Sequence, residues 1–143
     1  MLRQPIKTLY SKTVTATSNG TDTFVIDVND FDALIAKIAV PTLAGSGTLD
    51  VYLQTSFDGG SNWVDVVHFT QITATLSNPL YAMISAVGNV FKGAVGDAVI
   101  SAGTLGVPFV GKNARLKYVF GGSISSISFT VTLYQAQQSG AAF

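Results

Sequence analysis

Thr48-Leu49-Asp50-Val51-Tyr52-Leu53-Gln54-Thr55-Ser56-Phe57 alternates without a break. Leu49, Val51, Leu53, Thr55 and Phe57 fall on one side, and Thr48, Asp50, Tyr52, Gln54 and Ser56 on the other. That period of two marks an antiparallel strand with one face in a core and one toward solvent. Ile127 to Tyr134 repeats it, with Ile127, Phe129, Val131 and Leu133 inward, and so does Arg115 to Phe120. Shorter β-prone runs at Lys12 to Thr17, Thr23 to Val28, Leu34 to Val40, Trp63 to Phe69 and Ala98 to Ala102 complete the set. Turn signals separate them: Asn19-Gly20, Gly45-Ser46-Gly47, Asp58-Gly59-Gly60, Asn78-Pro79 and Gly121-Gly122. Eight short strands in one domain predict an all-β fold, a two-sheet antiparallel sandwich that is jelly-roll-like. Leu80 to Gly111, rich in Ala and Gly, is weakly periodic and reads either as a short helix or as a long loop.

The 143 residues suffice for one domain with its own core, spanning residues 1–143, with an N-terminal arm over 1–11 and a C-terminal tail over 135–143. Such terminal segments either fray or reach to a neighbouring subunit. Hydrophobic residues make up 48% and charged residues 11%. That charge content is too low for a disordered chain and sparse for a freely circulating monomer. Eight basic and eight acidic residues balance to zero, which disfavours a general nucleic-acid binder. There is no Cys and a single His, His68, so thiol chemistry and multi-His metal sites are excluded. All eight acids are Asp, a residue of turns rather than helix surfaces. Met1 to Thr8 has no apolar run and does not read as a secretory leader. The window Leu80 to Ile100 is apolar but broken by Gly88, Gly93, Gly96 and three charged or amide side chains, against a spanning helix.

Arg3, Lys7 and Lys12 near the start, and Lys112, Arg115 and Lys117 later, form two acid-free basic stretches around an acidic middle. They read as docking charges or as scattered surface charge. Tyr52 and Tyr134 lie opposite the apolar rows of their strands, where exposed aromatics suit a partner surface, and Phe143 closes the tail. These nine residues are the candidate interface.

The sharpest motif is Ser56-Phe57-Asp58-Gly59-Gly60-Ser61-Asn62-Trp63. It resembles the Asp-box, S-x-D-x-G-x-x-W: Ser56, Asp58, Gly60 and Trp63 match, and Asn62 stands where Thr is usual. Asp58 is placed to accept hydrogen bonds from the turn's own N–H groups, the glycines permit positive φ, and Trp63 packs under the hairpin. In families that carry it, the box is a folding element. One copy builds no propeller, and two Arg in the whole chain supply no carboxylate-sugar cluster. Asp27-Val28-Asn29-Asp30-Phe31-Asp32 lacks the Gly and the closing Glu of a calcium loop and reads as a turn. His68 has no nucleophile beside it in sequence and reads as a strand-surface His. No residue set calls for a catalytic role, a metal or a cofactor.

Leu49 to Asp65, with its V-x-L-Q-x-S strand, D-G-G turn and Trp, is similar to a phrase in small structural proteins of tailed bacteriophages. Ala114 to Tyr118 and Ile124 to Tyr134 resemble later segments of the same proteins, and in length and order the chain resembles capsid decoration or cement proteins. The resemblance implies a virion structural protein, assembled in the host cytoplasm and sited on the outer capsid surface. It implies two partners: the major capsid protein, and itself, as a dimer ahead of a trimer. It implies neither a specific nucleic acid nor a membrane. Two alternatives stand beside it: a phage tail or baseplate component, and a carbohydrate-binding sandwich using Trp63 and Tyr52 as stacking platforms. An enzyme is not expected.

Overall fold

The computed structural model describes residues 6–26, 33–84, 96–107 and 111–136. Among these described residues nine strands follow in order: β1 (Lys7–Val14), β2 (Gly20–Val25), β3 (Ala33–Gly45), β4 (Thr48–Ser56), β5 (Val64–His68), β6 (Leu80–Ile84), β7 (Thr104–Leu105), β8 (Asn113–Gly121) and β9 (Ile124–Ala136). They form two antiparallel sheets, β1-β9-β3-β6 and β2-β8-β4-β5-β7. β1 pairs with β9, β2 with β8, β3 with β6 and β4 with β5. That is one long eight-stranded hairpin rolled onto itself, and the β3–β9 and β4–β8 pairings join its turns into two sheets. The result is an all-β sandwich with jelly-roll topology, and β7 adds a short edge to the second sheet.

The core lies between the sheets. β4 contributes Leu49, Val51 and Leu53, β8 Leu116, β9 Phe129, Val131 and Leu133, and β3 Leu34, Ile38 and Val40, all essentially inaccessible to solvent. Burial of each such side chain is worth roughly 1.5–3 kcal/mol, and the area so removed from water is what holds the layers together. The β3–β4 turn depends on Gly45: its φ is +107°, and a Cβ there would strike the Ser123 carbonyl oxygen.

Several expectations need correction. Alternation puts Phe57 in the inward row of β4, but the strand ends at Ser56 and Phe57 begins the turn, exposed. Leu80 to Ile84, expected in a helix or loop, is β6, because the β3 backbone offers it a partner from Leu34↔Ile84 to Ile38↔Leu80. Ala98 to Ala102 is not a strand: Ala98 takes φ +55°, and its neighbours turn. The arm and the tail are partly structured, since Lys7 to Ser11 and Gln135 pair within the first sheet. Arg3, Phe143 and the Asp27 to Asp32 turn lie outside the described residues.

Candidate interaction faces

The β4–β5 hairpin is closed by the Asp-box-like turn. Ser56 Oγ donates to Asp58 Oδ1 at 2.8 Å and accepts the Gly60 N–H at 2.8 Å. Asn62 donates its backbone N–H to Asp58 Oδ1 at 2.8 Å and its side-chain amide to Asp58 Oδ2 at 2.6 Å. The departure from Thr therefore supplies one more donor to the same carboxylate. These bonds, first from the Asn62 side chain and backbone and then from Ser56, hold the Asp58 carboxyl down at about 2. A methyl group on Gly60 would meet the Trp63 ring, which lies under the turn as expected. The Arg115 guanidinium sits 4.5 Å above that ring. The motif is thus internally satisfied, as a folding element should be.

The outward row of β4 is not at the surface. Gln54 is wholly buried, and Tyr52 is only 8% exposed, against the expectation of an accessible partner residue. The cause is the segment 96–107, which crosses the outer face of β4 and β5. It is clamped by Asp65, itself fully buried. Asp65 accepts the N–H groups of Ala98, Val99 and Ile100 at 2.8, 2.7 and 3.1 Å, and the Gln54 amide at 2.8 Å. Gln54 also donates to Asp97 Oδ1, and its carbonyl accepts from Arg115 Nε at 2.7 Å. Asp97 in turn meets Arg115 at 2.9 Å and Lys117 at 2.7 Å. Partial burial acts to raise the Asp97 pKa, but the hydrogen bonds from Lys117 and Gln54 outweigh it and leave the group below its ordinary value. Arg115 and Lys117, expected as docking charges, are paired within the fold.

A second cluster lies beside the first. His68, expected on a strand surface, is buried. Its Nδ1 faces the Ile100 carbonyl at 2.8 Å and its Nε2 faces Asp50 at 2.9 Å. Tyr52 stacks on the imidazole, with centroids 3.9 Å apart. Desolvation, then the charge of Asp50, raises the Tyr52 phenol. Burial and the hydrogen bond to Asp22 likewise push up Tyr10, which stacks on Phe24. Lys12 reaches the same Asp22 at 3.8 Å, a partly exposed, long pair of small worth. No buried side-chain nitrogen or oxygen among the described residues lacks a partner. No three His, Asp or other metal-ligating side chains among them converge on one point.

The outer face of the first sheet differs in kind. Its register lines up Thr8, Tyr134, Ile35 and Met83 in one row and Ser11, Thr132, Lys37 and Tyr81 in the next, with Thr13, Thr130 and Ala39 beyond. Thr13 and Thr130 hydroxyls bond at 2.7 Å, and Ser11 and Thr132 at 3.3 Å. Strands β1, β3, β6 and β9 contain no acidic residue, and Lys37 is the one charge in these rows. Tyr134 is half-buried here, on the outer side as expected, while Lys7 and Lys112 are exposed elsewhere. At the β6 margin a cleft of about 330 Å³ opens toward β5 and β7, lined by Val67, Phe69, Leu80, Met83 and Leu105 among others.

Sequence reasoning missed Asp65, Gln54 and Asp97, because Asp65 and Gln54 lie 33 to 43 residues from their partners in the segment that carries Asp97. The one signal available was two polar side chains on a strand that is otherwise β-branched and apolar. Among the described residues no helix is long and apolar enough to cross a membrane. No protein-family model, no curated protein and no solved structure matches the chain.

Proposed function

We propose that this chain is a virion structural protein that decorates the outside of a tailed-phage head by binding across major capsid subunits. The observation that carries the reading is the division of labour between the two sheets. On the second sheet, the side chains able to do chemistry are turned onto one another and satisfied. The first sheet offers a broad, hydroxyl-lined, acid-free face with one lysine. Such a face has little to do in water, yet it seats readily on another protein surface, where few charges need desolvation. The resemblance of Leu49 to Asp65 to phage structural proteins points the same way. Attachment at many equivalent lattice points multiplies a weak contact into firm retention.

The carbohydrate-binding alternative is not favoured, because Tyr52 is buried and Trp63 carries Arg115 on its ring. The test is cosedimentation of the purified chain with heads of the tailed phage that encodes it, stripped of decoration. Saturable binding is expected, and Thr130→Glu, placed in the middle of the face, is expected to lose it while melting at the same temperature as wild type. Failure of the wild-type chain to cosediment overturns the proposal.

A further inference from the structure

We propose that β6 is a self-association edge, through which two copies of the chain join their first sheets into one continuous sheet about a two-fold axis at Ala82. Among the described residues β6 pairs with β3 alone, and none of them takes up the backbone donors and acceptors on its other side. Edge strands are normally protected by charge, proline, bulges or brevity. The other edges show these devices. β1 carries Lys7 and Lys12 and a bulge between Thr8 and Tyr10, β2 carries Asp22 at its centre, and β7 has two residues. β6 has none: Leu80-Tyr81-Ala82-Met83-Ile84 is uncharged, free of Pro and Gly, and unbroken in register. Its Tyr81 and Met83 are 60% and 68% exposed.

The occupant that fits this edge is a second copy of the same edge. Antiparallel pairing centred on Ala82 sets Tyr81 opposite Met83 of the second copy, and Met83 opposite Tyr81. On the core side it sets Leu80 opposite Ile84, with the two small Ala82 side chains at the axis. Sulfur beside an aromatic ring is a favourable contact, and here the symmetry makes it twice. Charge permits the arrangement. Lys37 neighbours Tyr81 on β3. In the joined sheet the two copies of Lys37 lie three strand spacings apart, about 14 Å, beyond the screening length of about 8 Å at physiological salt. The cleft beside β6, lined by Thr70 and Thr104 as well as by Phe69 and Leu105, is covered by the same approach.

The inference stands apart from the capsid reading, and its test uses purified chain with no heads present. The chain has no Cys, so introduced thiols report cleanly. Tyr81→Cys and Met83→Cys, oxidised separately and as a mixture, discriminate the register. Residues 81 and 83 face each other only between copies, at a cross-strand separation close to that of a disulfide. The mixture is expected to give about tenfold more disulfide dimer than either variant alone, and Val25→Cys, on the exposed edge β2, no more than background. Met83→Lys is expected to weaken dimerisation of the cysteine-free chain about tenfold in sedimentation velocity. A wild-type chain that stays monomeric up to about 0.5 mM, above the range of specific dimers, overturns the proposal. So does a mixture no better than its components, or equal cross-linking through Val25→Cys.

Discussion

Asp65→Ala removes the buried carboxyl that receives three consecutive backbone N–H groups of the segment 96–107, which is held besides by β5 backbone bonds at Gly103, Gly106 and Val107. The Asp65 carboxyl receives four hydrogen bonds, three from consecutive backbone N–H groups and one from Gln54. Each is worth about 1 kcal/mol net. Their sum is about 4 kcal/mol, and the bonds of residues 103–107 to the β5 backbone, which the substitution leaves in place, retain part of it. A loss of about 3 kcal/mol is expected, a large share of the 5–15 kcal/mol that stabilises a typical domain. At about 3–4 °C per kcal/mol for a domain of this size, the melting temperature falls by about 10 °C. Asp65→Asn keeps one oxygen and turns the other into a donor facing donors, so about half the bonds survive and the loss is about 2 kcal/mol. Denaturant titration measures both. Amide exchange at Ala98, Val99 and Ile100 locates the effect, with protection lost there before the core opens. If Asp65→Ala stays within about 0.5 kcal/mol of wild type, or those three amides keep their protection, the clamp does not exist as described.

Arg115→Ala strips the guanidinium from Trp63, leaves the Gln54 carbonyl without its donor and takes one of the three partners of Asp97, for an expected loss of about 2–3 kcal/mol. Trp63 is the single Trp of the chain, so its emission should shift to the red, and Arg115→Lys should recover only part of either effect. The Asp-box-like turn should respond to acid. Because the folded Asp58 carboxyl titrates at about 2, below its ordinary value of 3.8, its stabilisation is complete above that ordinary value and disappears as pH falls toward 2. Asp58→Asn should flatten the acid limb of the stability profile in that window, and a carbon-detected titration of the Asp58 carboxyl gives its midpoint directly.

Local order was legible in the chain wherever its cause was local. In the Asp-box-like turn Ser56, Asp58, Gly60 and Asn62 bond to one another within seven residues, so residue types at fixed offsets suffice to draw it. The inward rows of β4, β8 and β9 were equally plain, since alternation is a property of consecutive residues. Reading failed where a distant segment intervened. Tyr52, Gln54 and His68 carry nothing that says they are covered, because the cover, 96–107, is attached by contacts far apart in sequence. Ala98 to Ala102 has the composition of a strand, yet Asp65 captures the N–H groups a neighbouring strand would have needed. Leu80 to Ile84 is apolar at every position, so no periodicity revealed which face was inward or that β3 was its partner.

Residue order alone settled that this is a β protein, poor in charge, with one tight Asp-centred hairpin and an apolar row for each main strand, since these follow from side-chain spacing of two and from turn chemistry. Only tertiary structure decided which strands became neighbours and which polar residues were sealed beneath 96–107. Only it left β1, β9, β3 and β6 sharing a face without an acid. Those outcomes depend on pairings between residues up to about 130 positions apart. The free energy of such pairings belongs to the assembled sheets and to no single stretch of the chain.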